Sequence, residues 1–102
     1  DIVQLLLEHK ADVNAQGGVH GNALQAAVME GNKHIVQLLL EHKADVNAPG
    51  GKYGTALLAA ASKGNKDIVQ LLLDHKADVN IQGAEYGTAL QVAINHGNKD
   101  IV

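Results

Sequence analysis

The segment Gly64-Asn65-Lys66-Asp67-Ile68-Val69-Gln70-Leu71-Leu72-Leu73-Asp74-His75 carries apolar residues at positions 68, 69, 71, 72 and 73. At 100° per residue they cover an arc of about 200°, roughly twice the stripe of a helix that lies on a single core. A helix with this pattern is buried on two sides. Gly64-Asn65 marks its start, with Asn65 as the capping side chain and Asp67 in the first turn, where the helix dipole favours an anion. A shorter helix precedes it, Thr55 to Lys63, opened by a threonine cap and filled with Ala56-Leu57-Leu58-Ala59-Ala60-Ala61. At about nine residues neither helix persists alone, so stability has to come from stacking on neighbours.

Between the second helix of one such pair and the first helix of the next lies Ala44 to Gly54, rich in Gly and Asn and holding the single proline, Pro49. This is turn chemistry, an extended loop or hairpin in which Asn47 is expected to bond to its own backbone.

The pattern repeats. Asp-Val-Asn occurs at 12–14, 45–47 and 78–80, and Gly-Asn-Lys at 31–33, 64–66 and 97–99, a spacing of 33 residues in each case. Ala15–Asn47 and Ala48–Asn80 agree at 23 of 33 positions, so the unit is duplicated. Helices are accordingly expected near 1–9, 22–30, 33–42, 55–63, 66–75 and 88–96, stacked in two layers. Asp1-Ile2-Val3 and Asp100-Ile101-Val102 stand at the same point of the unit. Residues 1–102 therefore read as one array of three periods, cut within a helix at both ends and belonging to a longer array. On that reading Ile2, Val3 and Leu6 at one end, and Ile101 and Val102 at the other, present apolar faces through which copies can stack end to end.

Composition agrees with a layered stack. There are 11 glycines, no Phe, no Trp, and only Tyr53 and Tyr86 as aromatics. Small side chains make a thin core in which backbones come close. The net charge is -3 and arginine is absent, so a basic stripe, aromatic stacking platforms and bidentate arginine contacts are all missing, which argues against a nucleic-acid partner. With no cysteine there are no disulfides and no thiol chemistry, in keeping with a cytoplasmic, intracellular protein. The longest apolar run, Ala56 to Ala61, is too short to span a bilayer, so no membrane partner is expected.

A 33-residue helix-turn-helix unit with a projecting hairpin resembles the ankyrin repeat. The residues that carry the resemblance are Gly54-Thr55-Ala56-Leu57, Ala59-Ala60, Gly64-Asn65, Ile68-Val69-Gln70-Leu71-Leu72-Leu73 and Ala77-Asp78-Val79-Asn80. It implies an all-α solenoid of stacked repeats with projecting hairpin loops, acting as a non-catalytic protein-binding module with no cofactor. Ala23, Ala56 and Ala89 stand where the family has proline, and Gln25, Leu58 and Gln91 where it has histidine. That exchange leaves open the inter-repeat hydrogen bonds the family builds on its histidine, but not the stack. The variant, as in Gly17-Gly18-Val19-His20-Gly21-Asn22-Ala23-Leu24, is similar to near-identical repeats of large fungal proteins, including NACHT-type signalling NTPases. Two alternatives stay open beside a binding module: an engineered or purely structural array without a natural partner, and the sensor segment of a larger signalling NTPase.

No residue set points to catalysis. His9, His42 and His75 recur in register, but equivalent residues of stacked helices lie about 10 Å apart, whereas two imidazoles on one zinc each need a Zn–N distance near ~2 Å. Asp12, Asp45 and Asp78 form a column that does not converge, as paired catalytic carboxylates must. The glycine pairs lack the Lys-Ser/Thr of a phosphate loop.

The informative residues are those that break the repeat, because a duplicated unit keeps its packing positions and varies where it meets something else. Most differences fall on the hairpin or the first helix, which in ankyrin proteins line a concave binding face. Interface hot spots favour Tyr, Trp and Arg, which singles out Tyr53 and Tyr86, with His20 completing their column. Val19, Lys52 and Glu85 flank that column on the hairpins, and Met29, Glu30, Ser62, Lys63, Asn95 and His96 flank it on the first helices. The recurrence of the tyrosines equally suits struts that pack hairpin on hairpin. Finally, Lys10, Lys43 and Lys76 occupy the position at which ankyrin units place a helix-ending glycine, so these lysines are expected at positive φ.

Overall fold

The computed structural model describes residues 2–83 and 87–95. Among the described residues six helices follow one another: α1 (Ile2–Glu8), α2 (Ala23–Glu30), α3 (Lys33–Glu41), α4 (Ala56–Lys63), α5 (Lys66–Asp74) and α6 (Ala89–Asn95). They match the expected spans within a residue or two; positions 1 and 96 of the expected first and last helices lie outside the described residues.

Helices α2 to α5 begin where their capping residues dictate. The side chains of Asn22, Asn32, Thr55 and Asn65 accept hydrogen bonds from the amides of Gln25, Ile35, Leu58 and Ile68, satisfying amides that have no partner inside the helix. The ends are set as firmly. Lys10, Lys43 and Lys76 have φ of 71°, 72° and 73°. Behind the second of them, the amides of Lys43 and Ala44 reach back to the carbonyls of Leu40 and Leu39, closing a Schellman motif with a lysine in the glycine seat.

Helices pack in two layers. The first helices form one, α2 against α4 and α4 against α6, while α3 packs against α5 in the other; α2 also covers α3, and α4 covers α5. The expected two-sided burial of α5 is present: Ile68, Val69 and Leu72 are buried, and Leu71 and Leu73 pack half-buried on the same core. In α4, Ala56 through Ala61 are all buried, and four of the six are alanines, which suits a helix enclosed by close neighbours.

Two expectations are corrected. Val3 is not an exposed end residue: it is half-buried against the core together with Leu7, while Ile2, Leu5 and Leu6 face outward. Ile101 and Val102, the other end of that expectation, lie outside the described residues. Asn47 does not bond to its own backbone through its side chain. Its Nδ2 donates to the Lys76 carbonyl at 3.3 Å and its Oδ1 accepts from the Asp78 amide at 2.7 Å, both in the next unit. Asn14 does the same to Lys43 and Asp45, at 3.2 and 2.7 Å. The local turn is held by the aspartates, as Asp45 Oδ1 accepts from the Asn47 amide. A side-chain amide offers a donor and an acceptor at once, and the next unit's turn presents a free carbonyl and a free amide at the matching spacing.

Candidate functional site

The site is built on the hairpins. In each, the amide of a first glycine donates to the carbonyl of a glycine four residues on: Gly17 to Gly21 at 2.7 Å, Gly50 to Gly54 at 2.9 Å and Gly83 to Gly87 at 3.0 Å. Successive hairpins then stack backbone on backbone. A β-carbon on Gly21 would lie 2.6 Å from the Gly51 nitrogen, and one on Gly83 would lie 2.6 Å from the Tyr53 carbonyl oxygen, so only glycine permits the approach. This contact sets the tip of the first hairpin, Val19 and His20, beside Lys52 and Tyr53 of the second.

The first helices supply the floor. Val19, His20, Met29, Lys52 and Tyr53 line one cleft of about 80 Å³ together with Gln25 and Ala59. Val19 is 79% exposed, Lys52 is exposed, and His20, Met29 and Tyr53 are half-buried. The Lys52 Nζ stands 5.6 Å from the centroid of the Tyr53 ring, within the range of a cation–π contact. Tyr53 also packs on both buried clusters of the core, so its ring is a wall of the cleft and a strut at once.

The structure thus brings together five of the residues expected at the site and separates others. Glu30, Lys63 and Asn95 are exposed and Ser62 is half-buried on the first helices, outside this cleft. Glu85, Tyr86 and His96 lie outside the described residues.

Gln25 and Ala59 were not among the residues expected at the site, although Gln25 also stands where the two full units differ. Gln25 is 3% exposed, and its Nε2 donates to the carbonyls of Ala48 at 3.2 Å and Gly54 at 3.4 Å in the next unit. It thereby makes the inter-repeat hydrogen bonds that the loss of the family histidine left open. In the third unit, Gln91 instead accepts from the amide of its own cap residue, Thr88, at 2.8 Å, as in a capping box. The signal that could have revealed Ala59 is its counterpart one period on, Val92.

His9, His34, His42 and His75 are exposed, and the His75 ring lies 3.0 Å from the Leu71 carbonyl through Nδ1. No three potential metal ligands cluster among the described residues. The buried polar side chains described are Asn22, Gln25 and Thr55, and each acts as a cap or a strap, with no charged group buried beside them. No described helix is long and apolar enough to cross a membrane.

Residues 1–40 and 24–73 match a family model of ankyrin repeats (many copies), and residues 50–102 match a model of ankyrin repeats (3 copies). No curated protein matches the chain.

Proposed function

Since the chain belongs to the ankyrin repeat family, whose repeats generally mediate protein–protein interaction, we propose that residues 1–102 form one array acting as a non-catalytic protein-binding module. The partner meets the strip that starts at the hairpin cleft and runs along the first helices through Glu30, Ser62 and Lys63 toward Asn95. Glu85, Tyr86 and His96 continue it by repeat equivalence. The observation that carries this reading is that Val19, His20, Met29, Lys52 and Tyr53, all at positions where the two full units differ, converge on one cleft. A duplicated unit has no packing reason to concentrate its differences in one place. A cytoplasmic setting suits a cysteine-free chain.

A photo-crosslinking residue at position 30, exposed on α2 outside the cleft lining, tests the reading in cells. It should yield protein adducts that the same residue at position 37, exposed on α3, does not; the reverse pattern moves the binding face to the other layer. With a partner in hand, Tyr53→Ala should weaken binding by at least ~1 kcal/mol per folded molecule. Loss of stability with unchanged affinity would leave Tyr53 as a strut only.

A further inference from the structure

We infer that the cleft between the first two hairpins receives one aliphatic side chain of the partner polypeptide with a carboxylate beside it, an acidic–aliphatic segment. This rests on the protein-binding reading above and gives that partner its chemistry.

The cleft is lined where the repeat departs from itself. One period along, Gln25 becomes Leu58 and Ala59 becomes Val92. At that second junction Leu58 and Val92 are each 1% exposed and pack with Ala61, against Tyr53 and Ala89. At the first junction Ala59 lacks the two methyl groups that Val92 brings, and about 80 Å³ stays open. That volume is well below the about 300–1,000 Å³ of small-molecule sites. It holds one side chain, not a cofactor.

The walls determine which side chain. Val19, Met29, Ala59 and the Tyr53 ring are apolar, and the charged residue on the lining is Lys52. Its ammonium sits over the Tyr53 ring, at the rim of the apolar floor. A carboxylate next to an inserted aliphatic group meets that ammonium, and the pairing fixes the direction of the bound segment. Glu30, exposed beside Met29 and outside the lining, repels acid at the helix end and so reinforces the same direction.

Short fluorescein-labelled Gly/Ser peptides bearing a leucine next to paired aspartates test this by polarisation, alongside spectra of the isotope-labelled protein. Saturable binding should move the Val19 and Met29 methyl resonances and weaken about tenfold when the peptide leucine becomes alanine or its aspartates asparagine. Ala59→Val should abolish it with the fold kept, since valine occupies the equivalent position of the following unit. Lys52→Glu, at an exposed position, should transfer the preference to peptides with lysine in place of aspartate. Four results would each overturn the inference: equal binding by Ala59→Val, indifference to peptide charge, resonance shifts confined to residues away from the cleft, and no binding of the acidic–aliphatic peptides. If crosslinking from position 30 still yields protein adducts while these peptides fail, the module reading stands and only its partner chemistry falls. If both fail, both fall.

Discussion

The two hairpin junctions share one backbone and differ in what fills them. At the first, Gln25 sends its amide across to the carbonyls of Ala48 and Gly54, and a small cleft remains beside Ala59. At the second, the equivalent positions hold Leu58 and Val92, buried together with Ala61. The hairpins themselves are alike, each closed by a glycine-to-glycine hydrogen bond. A repeat architecture therefore holds its geometry through the backbone and its caps, which frees the side chains at a junction to be either glue or receptor.

Removing the carbon should hurt most. Leu58→Ala truncates a side chain that is 1% exposed, and the loss of transfer energy plus the residual cavity should cost about 2–5 kcal/mol in denaturant unfolding. A cost near that of Gln25→Ala would erase the distinction between a dry junction and a strapped one.

Gln25→Ala should cost less, about 1–3 kcal/mol, since the buried Ala48 carbonyl loses a donor while little apolar surface is lost. A neutral result would mean that water replaces the amide through the open cleft, which would sharpen the contrast with the second junction.

The asparagine straps serve as a control, because they are the same at both junctions. Asn14→Ala and Asn47→Ala each remove a donor and an acceptor to the next unit. Each should cost about 1–2 kcal/mol, with the two values agreeing within about ~0.5 kcal/mol. A wide gap would show that the backbone frame is not equivalent along the array.

The smallest effect is of opposite sign. Lys43→Gly relieves a non-glycine residue at φ 72° and should raise the unfolding free energy by a few tenths to about 1 kcal/mol. The entropy glycine brings to the unfolded chain works against the gain. Lys76→Gly should behave alike, and a loss at one position only would break the symmetry that the comparison assumes.

Much of this was legible along the chain. The resemblance to the ankyrin repeat announced positive φ at the lysines at 10, 43 and 76. Asn65 and Thr55 announced the helix starts, and the broad apolar arc of Ile68 to Leu73 announced burial on two sides. These are local properties, set within a turn or two of each residue by capping, periodicity and sterics, and a spacing of 33 residues multiplied them. The residues that break the repeat were also readable as candidates, and five of them do meet.

The stack alone determined how the units are tied and where they part. Asn47 reaches a carbonyl 29 residues away and an amide 31 residues away, and no local rule separates that from a turn closed on itself. Ala59 reads as one more alanine in an alanine-rich helix until the neighbouring hairpin is laid beside it. Both outcomes hang on the distance and rotation between stacked units. That relation comes from glycine hairpins in contact and helices packed in layers, and it exists only once the units are folded against one another.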